Sequence, residues 1–335
     1  MINVQILKHW CKNMTKNLLW IFLILTFLIS PFFGAVTLDI SEILNANSLH
    51  HDIFTELRLP RLLFAFFAGL ILALSGLLFQ TLFRNPLMTP YTLGISSGAV
   101  LGAGIAIKLG LISIVFGVSL VSIFGFFGAI LTVFLLLYLS QFLKGAHQES
   151  LLLLGIALSL FYTSSLMIVF YLGDAIQNDM LLRFTMGSLS IIGWLNPIVL
   201  GVISLVLLSS IYLYRYELEL LNVSDESSRL KGLDTKKITL LLLIISSFSI
   251  GFLVSISGPI GFIGLVVPHI ITKLYPTTLK NRILKTALFG GLFLVICDTL
   301  TRVIQTQSEL PIGIITALIG GPFFIYLIIS RSKKA

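Results

Sequence analysis

Charge is scarce in this chain of 335 residues, since only 11% are Asp, Glu, Lys or Arg, against about 25% in soluble domains. Apolar residues make up 57% of the chain, and the mean hydropathy is +1.04. These values predict an all-α polytopic membrane protein, with the lipid bilayer as its surroundings. The net charge of +8 is not gathered on one soluble segment, which argues against a nucleic-acid partner.

Groups that could carry out chemistry are equally few. The two cysteines, Cys11 and Cys297, lie far apart in the sequence, which favours neither a disulfide framework nor a metal site. No Gly-x-x-x-x-Gly-Lys-Ser/Thr loop occurs, so we expect no ATP site of that kind. Paired carboxylates, Cys/His clusters and nucleophile–base pairs are also lacking, which argues against a membrane-embedded enzyme and against catalytic residues or cofactors. Mid-span carboxylates, which ion-coupled carriers usually need, are missing as well, because Asp298 is placed near a span end.

Ten apolar segments follow one another along the chain, and most reach the ~20 residues that a membrane-spanning helix needs. They cover residues 17–37, 60–83, 92–108, 113–142, 149–172, 192–214, 238–257, 260–273, 284–303 and 311–330. The first is too long for a signal peptide and lacks a clear cleavage site, so we interpret it as an uncleaved span. An even number of spans places both termini on the same side.

Basic residues identify that side. With ten spans, 17 of the 22 lysines and arginines fall at the termini and in the loops on the same side, and five fall opposite. Cytoplasmic loops carry the excess of Lys and Arg. The sequence therefore predicts a multi-pass protein of the bacterial cytoplasmic membrane with both termini in the cytoplasm.

The stretch from Arg58 to Ala99 is predicted to contain a break at membrane depth. Pro60 suits the first turn of a helix, whereas Pro86 and Pro90 end one. A second short, glycine- and proline-interrupted segment covers residues 258–273. Irregular backbone survives at this depth only where protein or a watery cavity covers it. We therefore expect part of the first stretch to line a translocation pathway, with these candidate residues: Gln80, Asn85, Pro86, Gly94, Ser96, Ser97 and Gly98.

The loop of residues 215–237 is the longest charged stretch and contains signals for a short helix. Ser224 is a good N-cap, and Asp225 and Glu226 fall in the first turn. Arg229 and Lys231 come late, before Gly232. These signals predict a short cytoplasmic helix; the alternative is a solvated connector.

Four arginines stand on the opposite, outer side, among acidic residues: Arg58, Arg61, Arg183 and Arg302. Arg58 and Arg61 are i, i+3 neighbours on one helix face, and Arg302 is an i, i+4 partner of Asp298. They either serve a function on this surface or anchor the span ends.

Several motifs in order make the chain resemble the FecCD family of ABC importer permeases, over nearly its whole length. The matching pieces are Arg58-Leu59-Pro60-Arg61, Ser75-Gly76 with Gln80, Arg84-Asn85-Pro86-Leu87 with Pro90, Leu93 to Ala99, Gly187-Ser188-Leu189 with Trp194, Gly258 to His269, Glu309 to Gly313, and Gly321 to Phe324.

The resemblance implies one transmembrane permease domain, residues 1–335, with the ten-helix architecture of type II ABC importers. It implies a homodimer, or a heterodimer with a similar permease, with two ATPase subunits below it. It also implies an extracytoplasmic substrate-binding protein, whose acidic residues would meet Arg58, Arg61 and Arg302. The loop 215–237 would be the coupling segment that contacts the ATPase. The substrate class would be an iron chelate, either a ferric siderophore or haem, with vitamin B12 or a molybdate-type oxyanion as alternatives.

Overall fold

The computed structural model describes residues 18–34, 36–45, 47–111, 113–115, 118–142, 148–223, 235–304 and 309–332. These residues are almost entirely helical, with one two-stranded antiparallel hairpin, β1 (Ile114–Val115) and β2 (Val118–Ser119). The first seven helices are α1 (Leu18–Phe32), α2 (Ile40–Ile43), α3 (Leu49–Asp52), α4 (Leu59–Leu82), α5 (Ile95–Lys108), α6 (Leu120–Ser140) and α7 (Gln148–Leu172). The others are α8 (Ala175–Met186), α9 (Leu195–Leu213), α10 (Arg215–Val223), α11 (Thr235–Ser257), α12 (Ile263–Leu274), α13 (Leu279–Val303) and α14 (Ile312–Ser332).

All ten predicted apolar segments contain a helix in the structure. Six helices have the length and composition to cross a membrane, and four shorter apolar helices account for the remaining segments. The shorter ones are α1, α5, α12 and the apolar part of α14. This agreement confirms the predicted fold class.

Three local predictions were wrong or incomplete. Residues 114–115 and 118–119 form the hairpin instead of the start of a helix, so α6 begins only at Leu120. Pro60 does lie in the first turn of α4, but the helical backbone does not begin there, because a π-helical turn, Ile53–Arg58, directly precedes α4. Helices α2, α3, α8 and α10 were not predicted, because all four are short and none has a strongly apolar sequence.

Helix α4 is the centre of the bundle. Of its most apolar stretch, 83% is buried inside the chain, and it packs against α9, α11, α12 and α13. Two glycine pairs allow the closest approaches. A Cβ on Gly69 would lie 2.2 Å from the carbonyl oxygen of Gly290 in α13, and a Cβ on Gly76 would lie 1.8 Å from that of Gly264 in α12. Any larger residue at these positions would push the helices apart.

The two predicted breaks are present and lie beside α4. The first separates α4 from α5, which begins after Gly94 at φ +79°. The second separates α11 from α12 and contains Gly258 at φ +68° and Phe262 at φ +68°. Because a bulky residue in the left-handed region is uncommon, Phe262 marks a place where packing dictates the backbone.

Candidate functional site

The two ends of α4 carry different charged groups, and each end is named here by its arginine. At the Arg61 end, an ionic cluster joins three segments of the chain. Arg61 lies 2.9 Å from Asp298 and 2.8 Å from Glu309, measured from guanidinium nitrogen to carboxylate oxygen. The Nε of Arg302 lies 3.1 Å from the second carboxylate oxygen of Asp298. The predicted i, i+4 pair between Asp298 and Arg302 is thereby confirmed.

Backbone carbonyls at the end of α1 complete this cluster. Arg58 donates to the carbonyl oxygen of Pro31 at 2.8 Å and to that of Val36. Arg302 donates to the carbonyl oxygen of Phe33 at 2.9 Å and to the hydroxyl of Ser30 at 2.7 Å. Arg58 and Arg302 are only 7% and 6% exposed. Both side chains therefore hold α1 against α4 and α13, a role that sequence spacing could not indicate.

Glu309 forms the exposed edge of the cluster, with 41% of its side chain accessible. Partial burial favours the neutral acid, but the hydrogen bond from Ser190 and the charge of Arg61 outweigh it, so the pKa of Glu309 is lowered. Beside it lies a cavity of about 170 Å³, lined partly by Arg61, Arg183 and Ser188. Of the three predicted docking arginines, Arg61 is the one that borders this cavity.

The two breaks meet through side chains of the first stretch. The hydroxyl of Tyr91 accepts a hydrogen bond from the backbone N–H of Ile260 at 2.5 Å. Gln80 donates from its side chain to the carbonyl oxygen of Gly264 at 3.1 Å. Tyr91 was absent from the predicted site residues, and its partner lies 169 positions away. These two bonds give the irregular backbone part of the protein cover that it needs at membrane depth.

The predicted pathway residues occupy varied surroundings. Asn85 accepts a hydrogen bond from the N–H of Leu87 and shapes the turn after α4. Gln80 and Pro86 border a cavity at the Arg84 end. The other four lie around the start of α5: Gly94, Ser96, Ser97 and Gly98. Of these, Gly98 packs closely against Thr132 of α6.

The Arg84 end is tied to α10, the helix that leads towards the predicted coupling segment. The Nε of Arg84 donates to the carbonyl oxygen of Leu221 at 2.7 Å. Glu219 accepts from the N–H of Leu279 at 2.6 Å, and so caps the start of α13. The predicted coupling residues lie outside the described residues: Ser224, Asp225, Glu226, Arg229, Lys231 and Gly232.

Ten apolar helices in the described part of the chain, one of them buried at the centre of the bundle, and two breaks that meet beside it define a polytopic membrane permease. The family model of the FecCD transport family matches residues 22–330. The chain belongs to the FecCD transport family.

Individual relatives agree with that membership. The chain is 35% identical to the hemin transport system permease of Yersinia pestis over 328 residues, which cover 94% of this chain and 95% of the relative. It is 33% identical to the Fe(3+)-citrate import system permease of Bacillus subtilis over 275 residues, which cover 82% of this chain and 80% of the relative. Further relatives are named as permeases for cobalamin in Halobacterium salinarum and for molybdate in Haemophilus influenzae.

A solved structure shows the same fold. It is described as an inward-facing conformation of a metal-chelate type ABC transporter, and it superposes with a TM-score of 0.82 at 27% identity. The match covers 93% of this chain and 97% of the other. The architecture is therefore that of an ABC importer permease.

Proposed function

We propose that the chain is the permease subunit of an ATP-binding-cassette importer that moves an iron chelate, either a ferric siderophore or haem, across the bacterial cytoplasmic membrane. The observation that carries this proposal is the family match over residues 22–330, on a bundle whose two breaks meet beside its central helix. Relatives named for hemin and ferric citrate support an iron chelate. Those named for cobalamin and molybdate support the alternatives, vitamin B12 or an oxyanion.

The transport function itself can be tested in proteoliposomes that contain this chain, an ATPase subunit and a binding protein encoded beside it. We expect ATP-dependent accumulation of a labelled ferric chelate, and none when ATP is replaced by an ion gradient. Uptake of cobalamin or molybdate in place of the chelate would assign the alternative substrate. Uptake driven by an ion gradient without the ATPase would contradict the proposal.

The chain works in this proposal as one transmembrane domain within a permease dimer, with two copies of a separate ATPase that hydrolyses ATP. Closure of the ATPase dimer would be transmitted through residues 215–237. The bonds from Arg84 to Leu221 and from Leu279 to Glu219 support this route, because they link α10 directly to α4 and α13. Movement of α10 would then reach the central helix without an intermediary. The residues proposed to line the pathway are the seven predicted in and beside the first break: Gln80, Asn85, Pro86, Gly94, Ser96, Ser97 and Gly98.

The orientation is part of the proposal, with both termini and the Arg84 end in the cytoplasm. The distribution of basic residues supports it, because 17 of them fall on the side of the two termini and five fall on the opposite side. In a Cys297→Ser background, Cys11 should resist a membrane-impermeant thiol reagent in intact cells and react in inverted vesicles. Labelling of Cys11 from outside would contradict the ten-span topology.

The Arg61 end would then face the binding protein. Arg58 and Arg302 are held inside the chain, so they would position the helices that form this docking surface. Arg61 would meet an incoming carboxylate of the binding protein at the edge of the cavity. That carboxylate would compete with Glu309, which lies 2.8 Å from Arg61. Charge complementarity of this kind mainly speeds and orients docking.

A substitution that removes the competitor tests this arrangement. Glu309→Gln should tighten binding of the binding protein and increase the salt dependence of its association rate. Glu42→Gln is the matched control, because it makes the same change at an exposed acid that pairs with His50 and lies outside the cavity. Weaker binding by Glu309→Gln would show that Glu309, and not Arg61, meets the partner.

A further inference from the structure

A cavity of about 300 Å³ lies at the Arg84 end between α4, α12 and α13. It presents two guanidinium groups, an imidazole, an amide and two hydroxyls, and none of the described residues that line it is acidic. The polar lining residues are Gln80, Thr81, Arg84, His269, Thr272 and Arg282. Arginines arranged around hydroxyl groups suit an anion with several oxygens, because a guanidinium donates two parallel hydrogen bonds to such a group.

Arg282 has donor capacity that its surroundings in the chain do not use. Its Nε is buried and has no hydrogen-bond partner within the described residues. Its Nη1 lies 3.5 Å from the hydroxyl of Thr272, which is a long contact. The acidic residue that interacts with Arg282 is Glu219, and its carboxylate also accepts the N–H of Leu279. Because a buried donor without an acceptor is costly, this side of the cavity favours a bound oxygen ligand.

The side chains near the cavity are of the types that are common at the depth of lipid headgroups. Trp20 donates from its indole to the hydroxyl of Tyr275 at 2.8 Å, and the ammonium of Lys285 lies 3.7 Å from the centre of the Tyr275 ring. Lys273 lies 5.4 Å from the ring of Tyr326. Trp and Tyr concentrate at membrane–water interfaces. Lys285 follows Arg282 by three positions on α13, and Lys273 follows Thr272 directly on α12, so this aromatic and basic belt lies within one helical turn of residues that line the cavity.

We propose that this cavity binds the phosphate group of an anionic ligand. Basic pockets between membrane helices on the cytoplasmic side hold the headgroups of anionic lipids, and the aromatic belt makes a phospholipid the first source to test. Free phosphate offers the same chemistry. A bound phosphate would bridge α4 to the first turn of α13, next to the contacts that hold α10, and so stabilise the Arg84 end.

Native mass spectrometry of the purified full chain can test this proposal. The probes are phosphatidylglycerol, phosphatidylcholine and inorganic phosphate, each titrated separately. We expect retained phosphatidylglycerol on the wild-type chain and little phosphatidylcholine. Arg282→Gln should weaken retention about tenfold or more, as expected for the loss of a charged hydrogen bond.

Two further variants keep the test interpretable if Arg282→Gln folds poorly. Arg282→Lys keeps the charge but loses the planar fork, so its retention should be intermediate. Lys280→Gln is the matched control, because it removes an exposed charge from the same helical turn outside the cavity. Its retention should stay within about twofold of the wild type.

The outcomes separate the two sources of phosphate. Retention of phosphatidylglycerol that depends on Arg282 supports a lipid site, whereas Arg282-dependent binding of inorganic phosphate alone supports the phosphate site and assigns it to the free ion. Equal retention by Arg282→Gln and Lys280→Gln, or no binding of either anionic probe, would overturn the proposal.

Discussion

The two ends of the central helix use arginine in opposite ways. At the Arg61 end, Arg61 and Arg302 share Asp298, whose side chain is only 1% exposed. At the Arg84 end, Arg84 and Arg282 line a cavity, and Arg84 bonds to a backbone carbonyl of α10. The first arrangement pairs arginines with a carboxylate inside the chain, while the second places two arginines around a cavity that none of the described residues lines with an acid. The difference indicates a fixed support at the Arg61 end, where of the three arginines only Arg61 borders the proposed docking surface, and charge placed around a cavity at the Arg84 end.

The largest expected effect comes from Asp298→Ala. This change leaves Arg61 and Arg302 without their shared buried partner, and breaking a buried pair typically costs ~3–5 kcal/mol. We expect that loss in the free energy of unfolding, measured in detergent. Asp179→Ala removes a carboxylate of the same type from an exposed pair with Arg183, and should cost no more than ~1 kcal/mol. Equal losses in the two variants would mean that the Arg61 end is not a fixed support.

A smaller effect is expected midway between the two ends, where the breaks meet. Tyr91→Phe leaves the N–H of Ile260 without its hydroxyl acceptor. A buried donor left unsatisfied costs ~1–3 kcal/mol, so unfolding should become easier by that amount. Tyr171→Phe is the control, because Tyr171 is 88% exposed and its loss should stay within ~0.5 kcal/mol. A Tyr91→Phe variant as stable as this control would show that the bond does not hold the breaks together.

The smallest expected effect is on the pH dependence of folding stability, and it comes from Glu309 at the edge of the ionic cluster. The pKa of Glu309 is lowered in the folded state. Its ionised form therefore contributes to folding stability above the unfolded-state pKa of about 4.3, and this contribution is lost as pH falls through the folded-state pKa. Its side chain is 41% exposed, so the contribution should be below ~1 kcal/mol. Between pH 6 and 3, Glu309→Gln should lose less stability than the wild type, and Ser190→Ala should fall between them. Identical pH profiles for the wild type and Glu309→Gln would show that Glu309 contributes nothing to the stability of the ionic cluster.

The sequence predicted the frame of this molecule well, for identifiable reasons. The apolar segments predicted the ten apolar helices of the described residues, and Pro86, Pro90 and the glycines of residues 258–264 predicted both breaks. These signals are local, so they survive without knowledge of the tertiary structure. Helix α8 also had a local signal, a capping box from Asp174 to Gln177, which would have predicted it.

The contacts of the candidate site depended on long-range packing instead. Arg61 reaches Glu309 across 248 positions, and Tyr91 reaches Ile260 across 169. The i, i+3 spacing of Arg58 and Arg61 placed them near one another but could not show that Arg58 bonds to backbone carbonyls after α1. The charge of Arg58, Arg61 and Arg302 suggested that their side chains lie on an exposed surface, whereas Arg58 and Arg302 are buried in the structure.

In the proposed importer, the Arg84 end receives the motion of the ATPase through residues 215–237. The most direct test measures the rates of substrate import and of substrate-stimulated ATP hydrolysis, and their ratio, in the reconstituted importer carrying Arg229→Pro. Proline inside the predicted helix should break it, at a cost of ~3 kcal/mol or more, so both rates should fall while the binding protein still docks. Arg229→Ala removes the same charge and should keep the wild-type rates and ratio. If Arg229→Pro also imports substrate at the wild-type rate and ratio, the segment is only a connector and the motion enters the permease elsewhere.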